Sequence, residues 1–99
     1  MKLELENGTS IRNPDTRAIA EALASLDGFA ILGRDEMTYM QTSGSRREGF
    51  VLEYQEGDTD RHYQCPDPLT EKQITEAFLS YADGTDAWKT VFRWEKMDI

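Results

Sequence analysis

Between residues 29 and 64 the chain sets four short runs of β-formers so close together that only antiparallel neighbours can link them. The runs are Phe29–Leu32, Met37–Gln41, Phe50–Tyr54 and Arg61–Gln64. Gly33 to Glu36, Ser43 to Gly49 and Glu56 to Asp60 divide them, and these dividers are polar or glycine-bearing. A parallel crossover needs a dozen or more residues, so connections this short predict a meander.

Helical patterns flank the meander. Before it, Ile19, Ala22, Leu23 and Leu26 repeat at i, i+3, i+4 and i+7, with Gly28 as a stop. Asn13-Pro14-Asp15 supplies the start: Asn13 as the cap, Pro14 where no N–H is needed, Asp15 at the positive end of the dipole. After it, Thr70-Glu71-Lys72-Gln73 has capping-box spacing, Ile74, Ala77, Phe78 and Tyr81 form the stripe, and Gly84 ends the helix. Thr85 to Trp88 can add one helical turn, and Val91 to Glu95 reads as a last strand. At the start of the chain, Leu3 and Leu5 alternate with Lys2, Glu4 and Glu6. Asn7-Gly8 suits a type I′ turn, giving a hairpin that returns through Ile11 and can pair with either sheet edge. The expected architecture is α+β: an antiparallel sheet of five to six strands, a meander in its middle, and two helices on one face. The 99 residues carry no repeat, linker or low-complexity tract, so residues 1–99 form a single domain.

Charge narrows the partners. Nineteen acidic and eleven basic side chains give a net charge of −8. Such a field repels a phosphate backbone and favours a basic partner, so nucleic acid is excluded. Residues 56–99 hold five basic and ten acidic groups, and most of the acidic excess lies there. No apolar run approaches the roughly 18 residues of a membrane span. The N-terminal alternation is not a signal peptide, and the single Cys65 cannot form an intramolecular disulfide, so a cytoplasmic location is expected.

Chemistry-bearing motifs are few. His62 and Cys65 are three apart in a strand, on opposite faces, which excludes a shared zinc ion; no metal or cofactor is expected. Glu56, Asp58 and Asp60 form an acidic turn, but counting from Asp58 puts Tyr63 and Leu69 where a calcium loop needs glycine and glutamate. His62 is the only histidine, there is no G-x-S-x-G elbow, and the glycines of residues 43–49 lack a P-loop lysine. No catalytic residue is assigned. In the strand Phe50–Tyr54, Phe50, Leu52 and Tyr54 share one face, and Val51, Glu53 and Gln55 the other. With helices over one face, the other is left for binding. Glu53, His62 and Glu95 are assigned to it, Trp94 to the core, and Asp58 and Asp60 to an acidic turn that steers a partner.

Phe29-Ala30-Ile31-Leu32, Tyr39-Met40-Gln41-Thr42, Phe50 to Tyr54 with Gly57 after it, His62-Tyr63, Ala77 to Tyr81 and Trp94-Glu95-Lys96 together resemble the first immunity-protein family of bacterial polymorphic toxin systems. The resemblance runs in order over residues 14–96. It implies a compact, non-enzymatic α+β protein that binds and blocks a cognate toxin domain in the producer's cytoplasm. Two other readings stand beside it. One is a generic interaction module that self-associates through an open sheet edge. The other is an enzyme or small-ligand carrier with a cleft near Glu53, His62 and Glu95.

Overall fold

A computed structural model describes residues 1–98. Among them the strands are β1 (Lys2–Leu5), β2 (Ser10–Arg12), β3 (Gly28–Asp35), β4 (Thr38–Ser45), β5 (Gly49–Glu56), β6 (His62–Leu69) and β7 (Glu95–Lys96). The helices are α1 (Thr16–Ala24), α2 (Glu71–Asp83) and the short α3 (Ala87–Val91). All seven strands join one antiparallel sheet in the order β2-β1-β3-β4-β5-β6-β7. The α+β class, the central meander and the helix-covered face are as expected. The sheet has seven strands instead of five to six, and α3 is a third helix.

The meander strands run longer than the β-former runs that announce them. Their turns shrink to Glu36–Met37 and Arg46–Glu48, because polar and glycine residues extend the ladders. Gly44 shows why glycine is needed inside β4. Its φ is +141°, and a Cβ there would meet the backbone carbonyl of Gly49.

The inner face carries Leu3, Ala30, Leu32, Met40, Thr42, Leu52, Tyr54 and Cys65, all buried. Ile19 and Leu23 of α1 and Ile74, Ala77 and Phe78 of α2 close over it. Each fully buried Leu, Ile, Met or Phe among them contributes about 1.5–3 kcal/mol. α2 starts with the expected capping box: Gln73 N–H donates to Thr70 Oγ1 at 3.2 Å, and Thr70 N–H to Gln73 Oε1 at 2.9 Å. Gly84 ends it in the left-handed conformation.

Two local expectations are corrected, and one left open is decided. Asp15, not Asn13, caps α1 by accepting from Ala18 N–H at 2.8 Å, because Asn13 instead turns the chain with φ +47°. The N-terminal hairpin places β1 against β3, leaving β2 as the edge. The last strand is only Glu95–Lys96. Val91 ends α3, while Phe92 and Trp94 turn into an aromatic cluster with Tyr54, Tyr63 and Trp88. Edge-to-face packing of Trp88 and Trp94 on Tyr54, both at 4.6 Å, outweighs pairing more of that segment to β6. Trp94 is thus half-buried and packs against the core, in line with the sequence reading.

Candidate functional site

The sheet face opposite the helices has no element laid over it among the described residues. Strand register fixes what it presents. One cross-strand row runs Arg12, Lys2, Gly33, Tyr39, Gln55, His62; the next runs Ser10, Glu4, Ile31, Gln41, Glu53, Gln64, Glu95; a third holds Phe29, Ser43, Val51. Side chains in one row are direct neighbours, and those in adjacent rows meet diagonally.

The first row contains a buried polar network. Gln55 is 2% exposed and His62 3% exposed, although both lie on the uncovered face. Gln55 Nε2 donates to the Met37 carbonyl in the β3–β4 turn at 3.0 Å, which turns its Oε1 toward the histidine. His62 Nδ1 lies 3.0 Å from that Oε1, and His62 Nε2 lies 2.8 Å from Glu53 Oε1. Each ring nitrogen faces an oxygen acceptor; a neutral ring satisfies one of them and a protonated ring both. The Tyr39 ring stands edge-on to the imidazole at 6.1 Å, with its hydroxyl 3.4 Å from Gln55 Oε1. Burial, and then the negative charge of Glu53, raise the Tyr39 pKa, so this phenol stays protonated.

The five expected site residues divide accordingly. Glu53, His62 and Glu95 do share the open face, and Glu53 and Glu95 share a row with Gln64 between them. His62 is not accessible there, because its ring is enclosed by the network it makes. Asp58 and Asp60 stand off this face, exposed in the β5–β6 turn, where the Asp58 carboxylate accepts from Asp60 N–H at 2.8 Å. The same turn reaches the β3–β4 turn through Gly57 N–H and the Met37 carbonyl, so Asp35, Glu36, Asp58 and Asp60 gather at one end of the sheet. Glu56 below them is engaged by Lys89 at 3.1 Å and Arg61 at 3.6 Å.

Two concavities lie on the open face. The larger, about 650 Å³, spans β2, β1, β3 and β4 and is lined by Lys2, Arg12, Ile31, Arg34, Tyr39 and Gln41 among others. The smaller, about 230 Å³, is lined by Phe29, Ile31, Gln41, Thr42, Ser43 and Glu53. The expected cleft at Glu53, His62 and Glu95 is not where the larger space lies; only Glu53 of the three borders either concavity. Phe29 and Val51, neither of them among the five expected site residues, are exposed at 37% and 42% on this face. The alternation of β3 and β5 marks both as outward. It does not distinguish an exposed ring from a covered one.

The Glu53–His62 pair has the form of a base held by a carboxylate, but the free nitrogen meets an amide oxygen instead of a nucleophile. Cys65 is buried on the opposite, helix-covered face. Among the described residues no three His, Cys, Asp or Glu side chains converge as a metal site, and no helix is long and apolar enough to cross a membrane. No family model, curated protein or solved structure matches this chain.

Proposed function

We propose that this protein is a non-catalytic, immunity-type inhibitor that docks a basic bacterial toxin domain on its uncovered sheet face. The observation that carries the reading is that face itself. It is concave, with outward rings and carboxylates, on a domain of net charge −8. Exposed aromatic and apolar groups set among polar ones suit a protein partner, since rings bury much area at low entropy cost. The acidic end, at Asp35, Glu36, Asp58 and Asp60, adds steering, which raises association rates well above the neutral value. The resemblance to the first immunity family of polymorphic toxins points the same way, with cytoplasmic action implied. His62, with both nitrogens engaged, favours a structural role over a catalytic one.

Co-expression with a toxin encoded beside this gene tests the proposal. Protection of the host and a stable complex at low salt are expected; neither binding nor protection refutes it. Asp60→Lys should slow association and weaken its salt dependence, and an unchanged rate moves the steering surface elsewhere. Self-association through a sheet edge is the poorer alternative, because the edge strands β2 and β7 have three and two residues. Small-ligand binding draws on the larger concavity, whose volume lies in the range of about 300–1,000 Å³ typical of ligand pockets.

A further inference from the structure

The smaller concavity follows directly from register. Phe29, Ser43 and Val51 are successive members of one row, and Ile31, Gln41 and Glu53 of the next. Serine in the middle strand is short, so a notch opens over β4, between β3 and β5. Those two strands lie about 9.5 Å apart, twice the spacing of neighbours. The notch holds about 230 Å³, below the roughly 300 Å³ at which small-molecule pockets begin, and so has room for one side chain.

Its lining specifies which. Glu53 is the one charged residue there; Gln41 and Ser43 add neutral oxygens, and Phe29 and Ile31 supply apolar wall. Glu53 is held in place, because its Oε1 is fixed by the His62 ring at 2.8 Å, while its Oε2 makes no hydrogen bond among the described residues. His62 is in turn fixed through Gln55 and Met37. A carboxylate oxygen, two further acceptors and an aromatic ring match a cation that carries N–H donors.

We infer that the Phe29–Glu53 notch is the specificity socket of the docking face and receives a lysine or arginine side chain of a protein partner. Charge complementarity selects this occupant: the lining's charge is the Glu53 carboxylate, and the chain as a whole carries −8. Glu53 and Phe29 touch the incoming cation, and His62 positions Glu53. The assignment deepens the docking proposed above and rests on it for the partner's class. The socket can be tested without any toxin.

The test is a titration of the ¹⁵N-labelled protein with capped arginine amide and capped lysine amide, each against its uncharged counterpart, capped citrulline or capped norleucine. Amide shifts confined to residues 29–31, 41–43 and 51–53 are expected with the cations, and responses at least tenfold weaker with the uncharged probes. Glu53→Gln, which keeps an acceptor for His62, should abolish the cation response. Phe29→Leu alters an exposed ring and should weaken it about two- to fivefold. A well-dispersed spectrum of each variant confirms that it is folded. Equal responses to charged and uncharged probes overturn the socket, as does a response centred on Asp58 and Asp60 or one unchanged in Glu53→Gln. Those results leave host protection by the intact protein untouched, so failure of the socket and failure of the inhibitor reading are separate outcomes.

Discussion

Removing the Glu53 carboxylate tests whether the buried network is a structural support of the open face. In Glu53→Ala the His62 Nε2, on a ring 3% exposed, loses its acceptor at 2.8 Å. A buried donor left without a partner costs about 1–3 kcal/mol. Taking about 2 kcal/mol, the Tm of a domain of 99 residues should fall by roughly 8–16 °C. Glu53→Gln restores an oxygen and exchanges a charge-assisted bond for a neutral one, so it should lose about 1 kcal/mol. Glu95→Ala, on the same face, makes none of these contacts and should stay within about 0.5 kcal/mol of the parent. Urea unfolding of the three variants measures this, followed by a double-mutant cycle with His62→Leu. A coupling of about 1–3 kcal/mol between Glu53 and His62 is expected. If Glu53→Ala costs no more than Glu95→Ala, or the cycle is additive to within about 0.5 kcal/mol, the network does not support the face.

Two further outcomes follow from the covered side. Burial, reinforced by Glu56 and Tyr63, pushes the Tyr54 phenol up from 10.0 to about 12. Above pH 10 the unfolded chain loses this proton while the folded chain keeps it. Stability should therefore fall as pH rises from 10 to about 12, and level off beyond. Tyr54→Phe should reduce that slope in urea midpoints taken across the interval, with Tyr39 and Tyr81, whose pKa burial also raises, contributing the rest; an unchanged slope assigns it to those groups. Thr70→Ala removes one half of the capping box at α2 and should cost about 1 kcal/mol, read as a drop in Tm by circular dichroism. A loss below about 0.3 kcal/mol would mean that packing of Ile74 and Phe78 alone holds that helix end.

Much of this fold is written in short-range patterns. The meander is legible because short polar connections leave consecutive strands no other neighbour. The inner set Leu52 and Tyr54, opposed to Val51, Glu53 and Gln55, follows from the two-residue period of a strand. α2 is legible from both ends, since the Thr70–Gln73 pair and Gly84 satisfy backbone groups within one turn of themselves. The candidate site was less legible. Alternation puts Glu53 and His62 outward, but nothing along the chain says that Gln55 and Tyr39 enclose the histidine. That enclosure joins residues from three strands and the β3–β4 turn. The acidic count likewise pointed to Asp58 and Asp60. Register adds a notch at Phe29, Ser43 and Glu53, two of them without charge.

The α+β class, the antiparallel meander, the two long helices and the inward face of β5 are readable along the chain. Each of these depends on periodicity, caps and connection lengths, all set within a few residues. Long-range packing sets β1 between β2 and β3, gives the segment after α3 to the Tyr54 aromatic cluster, and opens a notch beside a carboxylate at one small serine between β3 and β5. These outcomes depend on which distant surfaces meet. There, competing contacts of similar strength are settled by packing, and no local pattern encodes the winner.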